Sequence, residues 1–247
     1  SEQPRMCQRR GFDPAQVAAG EALFNSPALL GGQAAKAGLS CAACHRNGRD
    51  NPHFQMPHLS GAPGTADVTN SFFGPARANA AFDPVVIPDL ALPGKVSRAP
   101  NDPALGLFIR TLVVDEFSGA EPSAVMLDAL TSYVRSIGPC PADDRTVEAR
   151  RLAGQLRLIE LAVTAAAASD DAAMQRQLIG AARHQLGLID ERYAWPRDAA
   201  FRRELLAASR DLATISEGMR VVPDRRLRLQ KWQARFNIRL VPLLQQH

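Results

Sequence analysis

The sequence predicts an all-α protein in two parts, because glycine, proline and charge are distributed unevenly along the chain. Residues 1–140 contain 27 of the 35 glycines and prolines, whereas residues 141–247 contain only eight. We therefore expect a loop-rich first part and an almost entirely helical second part. The first part carries 11 basic and 12 acidic residues, and the second carries 18 and 13. A cluster of glycine and proline at 138–141 marks the predicted boundary between domains 1–140 and 141–247.

The first domain is predicted to contain three helices after an N-terminal extension of residues 1–12. Asp and Pro residues mark the first two helix starts, and an apolar stripe from Val125 to Ile137 marks the third. Residues 47–101 are rich in Pro, Gly and Asn, so something other than their own side chains must organise this segment. The predicted helices are 14–24 with Asp13 as N-cap, 103–113 with Asp102 as N-cap, and 122–137.

The second domain is predicted to be an antiparallel four-helix bundle. Apolar residues recur at spacings of three and four in four separate segments, and short polar or proline-containing breaks separate these segments. The breaks are 169–171, Trp195-Pro196 and 222–224. The four apolar faces are Leu152, Leu156, Ile159 and Val163; Met174, Leu178, Ala182, Leu186 and Ile189; Phe201, Leu205, Ala208, Leu212, Ile215 and Met219; and Leu229, Trp232, Phe236, Leu240 and Leu243.

The strongest chemical motif is the C-x-x-C-H segment formed by Cys41, Cys44 and His45. Two cysteines three positions apart present both sulfurs from one helical turn, and the next residue supplies an imidazole. This pattern is typical of covalent haem attachment, in which both thiols add to the haem vinyl groups and the histidine becomes the proximal iron ligand. A thioredoxin-like pair would require a βαβ setting, and a zinc site would require further ligands at recognisable spacing. The motif therefore predicts one covalent haem c.

Two stretches around this motif resemble a known family. Residues 20–25 read GEALFN and residues 39–45 read LSCAACH, similar to the G-x-x-L-F helix and haem segment of the bacterial di-haem cytochrome c peroxidase superfamily. Residues 108–112 and 127–137 are similar to that family's closing helices. The resemblance covers roughly residues 11–138 and implies a cytochrome c-like haem domain. This chain departs from the family because it has no second C-x-x-C-H segment.

The sixth iron ligand stays open at this point. In the family that the chain resembles, many members use a histidine soon after the haem segment, and His58 is the nearest match. Met56, followed by Pro57, resembles the Met-Pro of electron-transfer cytochromes, although the spacing is short. Met126 lies on the apolar stripe of the predicted third helix, which favours core packing. An open or otherwise filled sixth position is the remaining alternative, and His53 is expected at the surface.

The remaining cysteines, Cys7 and Cys140, are expected to form a disulfide. Covalent haem attachment takes place outside the cytoplasmic membrane, where paired cysteines oxidise, so we expect a periplasmic protein. Two free buried thiols are the alternative. The stretch that begins at Ser1 lacks the basic and apolar regions of a signal peptide, so we expect that an export signal was either removed or never present.

One haem without other catalytic groups predicts an electron-transfer role. The alternative is a peroxidase-type enzyme or a small-gas binder with an open sixth position.

Of the 29 basic residues 26 are Arg, and in the second part they are interleaved with Asp and Glu. This pattern favours an ion-paired surface over a nucleic-acid site and allows an acidic redox partner. No run of eighteen apolar residues occurs, which argues against a transmembrane span.

Overall fold

The structure is a computed structural model that describes residues 2–4, 7–69, 81–140, 147–149, 152–218 and 225–242. Helices dominate these residues, and the strands are at most three residues long, which confirms the all-α class. The chain divides into two compact units, Ser1–Ala149 and Arg150–His247. This division lies beyond the predicted boundary at 140, because Val147–Ala149 forms a strand that pairs antiparallel with Glu2–Pro4 at the start of the chain.

The first unit contains six helices within its described residues. Short strands pair around them in three antiparallel two-stranded sheets, which join Glu2–Pro4 to Val147–Ala149, Cys7–Gln8 to Ile137–Gly138, and Thr65–Ala66 to Val85–Val86. The helices are α1 (Pro14–Phe24), α2 (Pro27–Leu30), α3 (Gly32–Lys36), α4 (Cys41–Cys44), α5 (Ala104–Thr111) and α6 (Ala124–Ser136), and the strands are β1 (Glu2–Pro4), β2 (Cys7–Gln8), β3 (Thr65–Ala66), β4 (Val85–Val86), β5 (Ile137–Gly138) and β6 (Val147–Ala149).

The main packing contact of the first unit joins α1 and α6. Helix α1 has the predicted bounds, and the Asp13 carboxylate accepts a hydrogen bond from Ala15 N at 3.0 Å, as expected for its N-cap. Gly20 allows close approach, since a Cβ there would lie 2.0 Å from the Ala129 carbonyl oxygen of α6. The fully buried Tyr133 packs its ring edge-on against Phe24 at 5.1 Å. The two predicted helices therefore form the core beside which the site is built.

The bounds of α5 and α6 differ from the predicted ones. Asp102 accepts from Ala104 N at 2.9 Å, and α5 then ends at Thr111, where a π-helical turn, Leu112–Glu116, continues the chain. Helix α6 begins at Ala124 and not at the predicted Pro122. The reason is that the Ser123 hydroxyl accepts a hydrogen bond from the backbone N–H of Met126 and so acts as the N-cap. The predicted stripe on α6 was wrong at Val125, which is 49% exposed.

Arg98, a residue of the long segment 47–101 itself, and Arg135 of α6 hold the described part of this segment, so the expectation that its own side chains do not organise it was wrong in part. The Arg98 guanidinium donates to Val134 O at 2.6 Å and Arg135 O at 3.0 Å, and also to Leu90 O. The Arg135 guanidinium donates to Pro100 O at 3.1 Å. These bonds attach the segment to the end of α6.

The predicted Cys7–Cys140 disulfide is confirmed. It joins residues 133 positions apart, and the adjacent strands β2 and β5 pair antiparallel, with Cys7 opposite Gly138. Arg9 N also donates to Ser136 O at 2.7 Å. The N-terminal extension is thereby fixed to the end of α6.

The second unit consists of four long helices within its described residues. Helix α7 packs against α8 and α10, and α9 packs against the same two helices. Their buried positions follow the predicted faces, except that Leu152 and Leu156 are half-buried, while Met219, Leu243 and the break at 222–224 lie outside the described residues. The Trp232 indole N–H donates to Ala208 O at 3.0 Å inside this core. The helices are α7 (Leu152–Ala168), α8 (Ala172–Arg192), α9 (Ala199–Glu217) and α10 (Arg225–Arg239).

Among the described residues, no helix combines the length and the apolar character needed to cross a membrane.

Candidate functional site

A largely apolar cavity of about 370 Å³ in the first unit contains the three residues of the C-x-x-C-H motif. Its volume lies within the range of small-molecule and cofactor pockets. Besides the motif residues, only Ser40 and Lys95 bring polar side chains to its described lining. The apolar lining comes from α1, α2, α5, α6, the π-helical turn, and the segments 66–68 and 85–96: Phe24, Leu30, Ala66, Val68, Val85, Val86, Ile87, Pro88, Leu90, Val96, Leu105, Phe108, Ile109, Leu112, Val113, Phe117, Leu130 and Val134.

Helix α4 is a single turn that carries both motif cysteines at its two ends. Residues three apart in a helix share a face, so the turn directs Cys41 and Cys44 towards the same side, and both line the cavity. Neither forms a disulfide. Burial raises the pKa of each thiol to about 12, and the nearby Cys41 adds to this shift at Cys44. The two groups are therefore neutral thiols at pH 7.

The orientation of the His45 imidazole is set by a backbone carbonyl. Its Nδ1 lies 3.1 Å from Pro88 O, and because a carbonyl oxygen only accepts, Nδ1 must carry the hydrogen. The other ring nitrogen, Nε2, is then left with a free lone pair. Burial lowers the pKa of His45 to about 4, against the opposing effect of the Pro88 hydrogen bond. The side chain is thus a neutral imidazole, the form that binds metal ions.

A second layer of contacts holds the Pro88 carbonyl in position. The Arg49 Nε–H lies 2.8 and 2.7 Å from the two carboxylate oxygens of Asp89, the residue after Pro88. The Asp89 carboxylate also accepts from Ala91 N at 2.8 Å, and Leu90 N donates to Gly48 O at 3.1 Å. The ion pair is largely buried, with 23% and 11% of the two side chains exposed. These bonds connect the Pro88 carbonyl, which orients His45, to the turn that follows His45 in the chain.

The candidate sixth ligands are not brought to this cavity. His58 is exposed, with a left-handed backbone φ of 66°, and Met56 is half-buried in the same loop. Met126 is 3% exposed and lies within the core stripe of α6. None of these residues, nor the exposed His53, belongs to the described lining. Residues 70–80 lie outside the described part, and their sequence contains no histidine, methionine or cysteine.

Sequence reasoning missed Pro88 and Lys95 as parts of the site. Pro88 contributes through its backbone oxygen, which no side-chain pattern reveals. Lys95 is one of only three lysines in the chain, and it follows a glycine with a φ of 77°, a turn signal in an otherwise uninformative segment. Lys95 is exposed, and no other lysine or arginine belongs to the described lining. Both residues come to the motif through tertiary folding.

Within the part of the chain that the structure describes, no group of three or more His, Cys, Asp or Glu side chains is arranged to hold a metal ion by itself. No family model, curated protein or solved structure matches the chain. The resemblance of residues 11–138 to the di-haem peroxidase superfamily therefore rests on the quoted motifs.

The geometry suits a mainly apolar group attached through two sulfurs. Two neutral thiols on one face can each form a thioether bond, while the oriented imidazole offers one nitrogen lone pair beside the same cavity. Apolar walls would exclude water from most of the bound group. One helical turn brings the two thiols together, whereas the imidazole orientation and the apolar walls depend on residues from distant parts of the first unit.

Proposed function

We propose that this protein is a periplasmic mono-haem c-type cytochrome that transfers electrons. The observation that carries the proposal is the convergence, on one apolar cavity, of Cys41, Cys44 and a His45 whose Nδ1 faces the Pro88 carbonyl. Cys41 and Cys44 would hold the haem by thioether bonds, and His45 Nε2 would bind its iron. The bound haem would supply reversible one-electron chemistry at iron.

The exposure of part of the cavity wall supports electron transfer. Val85, Val86 and Phe108 line the cavity, yet they are 65%, 75% and 59% exposed. A planar group beside them would keep an edge close to the protein surface. Electron exchange with a partner requires such an edge, while the buried remainder of the cavity would keep the iron away from water.

The finer architecture belongs to the same proposal. We propose that the first unit is a cytochrome c-like haem domain, supported by the α1–α6 packing beside the motif. The second unit would be an antiparallel four-helix bundle, supported by the contacts of each helix with two others. The Cys7–Cys140 disulfide supports an oxidising compartment such as the periplasm. An acidic protein is the redox partner that the basic second unit favours.

The test is haem attachment to the full chain, produced in a host that exports it and attaches haem covalently. We expect one haem per chain in a pyridine haemochrome assay, and the haem should resist extraction with acidic acetone. The variant Cys41→Ala/Cys44→Ala should lose the covalent haem, whereas the matched double variant Met56→Leu/His58→Gln should retain it. Haem that is extractable, or that persists in the cysteine variant, would exclude the proposal.

A second candidate function is a haem protein that binds peroxide or a small gas at an open sixth position. One observation favours it: apart from His45, no histidine or methionine occurs in the described lining of the cavity. Optical spectra of both oxidation states distinguish the two functions. A six-coordinate, low-spin iron supports electron transfer, while a five-coordinate, high-spin iron that is unchanged in Met56→Leu/His58→Gln supports the second candidate.

A further inference from the structure

Helix α10 has the most one-sided charge of the helices in the second unit. Its fifteen residues include six basic side chains and no carboxylate. Its apolar residues Leu229, Trp232 and Phe236 are at most 5% exposed and lie in the core of the unit. Outside the core-facing Arg225, the cations therefore lie on the sides of the helix that this core leaves uncovered.

Three of these cations line a groove between α9 and α10 that has a volume of about 520 Å³. Arg228, Lys231 and Arg235 are spaced three and four residues apart, so they lie along one side of the helix. Seven residue steps separate Arg228 from Arg235, a distance of about 10 Å along the helix axis at a rise of about 1.5 Å per residue. The opposite wall includes Asp211 and Ile215 of α9.

The groove has an excess of positive charge that the described residues do not neutralise. Arg235 lies 3.7 Å from the Asp211 carboxylate, in a pair whose side chains are both more than half exposed. Neither Arg228 nor Lys231 forms an ion pair with any described residue. Three cations thus face one carboxylate, which leaves two positive charges on a concave surface.

We propose that this groove binds an acidic segment of a partner protein. In an extended peptide, three residue steps also cover about 10 Å, so carboxylates at the two ends of such a stretch would match the span from Arg228 to Arg235. Ala234, which is exposed in the lining, offers a small apolar contact for the methylene groups between them. The occupant is therefore an extended polypeptide with several Asp or Glu residues, recognised mainly by charge.

Two other classes of anionic partner fit the groove less well. A membrane-bound amphipathic helix inserts its apolar face, but Trp232 and Phe236 are buried in the unit, and the exposed Leu227 and Ile238 do not belong to the described lining of this groove. Single-stranded nucleic acid relies on aromatic side chains that stack on bases, and the described lining of this groove contains none.

The inference does not depend on the proposed haem, since all its residues belong to the second unit. The experiment is a titration of the full chain with a decaglutamate peptide by isothermal calorimetry at low and physiological salt. The groove variant is Arg228→Gln/Lys231→Gln/Arg235→Gln. The control, Arg176→Gln/Arg197→Gln/Arg203→Gln, removes the same charge from three exposed arginines elsewhere in the unit.

We expect peptide binding to weaken at least about tenfold in the groove variant and by less than about twofold in the control, with weaker binding at higher salt. If the groove variant fails to fold, Lys231→Gln alone should still weaken binding measurably. Equal losses in the groove variant and the control, or no binding by the unaltered chain at low salt, would overturn the inference. Tighter, groove-dependent binding of oligothymidylate or phosphatidylserine vesicles would overturn it in favour of another class.

Discussion

The two units of this protein are stabilised in different ways. In the first unit, short helices and loops are held by arginine bonds to carbonyl oxygens, by a disulfide and by small sheets around a cavity. In the second unit, four long helices bury Leu178, Leu186, Leu212 and Leu229 completely or almost completely. The first unit adds a disulfide and arginine bonds to the core around α1 and α6, whereas the described part of the second unit relies mainly on the packing of its four long helices.

This difference indicates where each unit is sensitive to change. A unit that closes around a cavity leaves wall residues exposed, as Val86 and Phe108 are, and depends on long-range connections. A unit whose helices fill their own core tolerates surface changes and responds mainly to loss of core volume. Spectroscopy can follow them separately, because both tryptophans, Trp195 and Trp232, belong to the second unit.

The largest expected effect comes from removing the disulfide. Cys7→Ala/Cys140→Ala frees a loop closed over 133 positions, and the chain-entropy model predicts a loss of about 5 kcal/mol in the unfolding free energy of the first unit. Urea unfolding should be followed by the absorbance of the proposed haem for the first unit, by tryptophan fluorescence for the second, and by circular dichroism for the helices of both. We expect the fluorescence transition to stay unchanged. A parallel shift of both transitions would show that the units unfold together.

Two glycines provide the next comparison, with effects of opposite sign. Gly20→Ala places a methyl group 2.0 Å from Ala129 O between α1 and α6, so it should destabilise the first unit by about 3 kcal/mol. Gly187 lies inside α8 with no heavy atom within 4 Å of an added Cβ. Gly187→Ala should therefore stabilise the second unit by about 1 kcal/mol, the difference in helix propensity.

The same two unfolding signals measure this pair of variants. Gly154→Ala serves as a second control, because an added Cβ at this α7 position also meets no heavy atom within 4 Å. A neutral Gly20→Ala would mean that α1 and α6 can separate without loss, and the close packing described for the first unit would be wrong.

The smallest effect concerns an ion pair in the second unit. The Arg202 guanidinium, at 2.8 and 2.9 Å from the two Asp190 oxygens, holds the pKa of Asp190 below its usual value. A depressed pKa adds stability above the unfolded value of about 3.9, and this stability disappears as pH falls through the folded pKa. Asp190→Asn should lower the urea midpoint of the fluorescence transition at pH 7, with a smaller change than in the other variants. The two midpoints should converge at acidic pH, and a constant difference would contradict the linkage.

The C-x-x-C-H motif and the helical pattern carried most of the information available from sequence. The bounds and N-cap of α1 follow from Asp13 and Pro14 because capping is a local interaction between neighbours. The buried faces of α8 and α9 follow from the spacing of their apolar residues. The disulfide was predicted from residue type and compartment, and β2 and β5 bring its two ends together.

The sequence by itself determined the all-α class, the main helices and the residues of the motif, because local spacing and capping govern these features. Only the tertiary structure decided that Pro88 O orients His45. It also decided that Lys95 lines the cavity, whereas His58 and Met56 do not belong to its described lining. It also decided that the first unit extends to Ala149, through the pairing of β1 with β6. These features depend on contacts between residues far apart in the chain, whose loops carry no periodic pattern from which a partner could be identified.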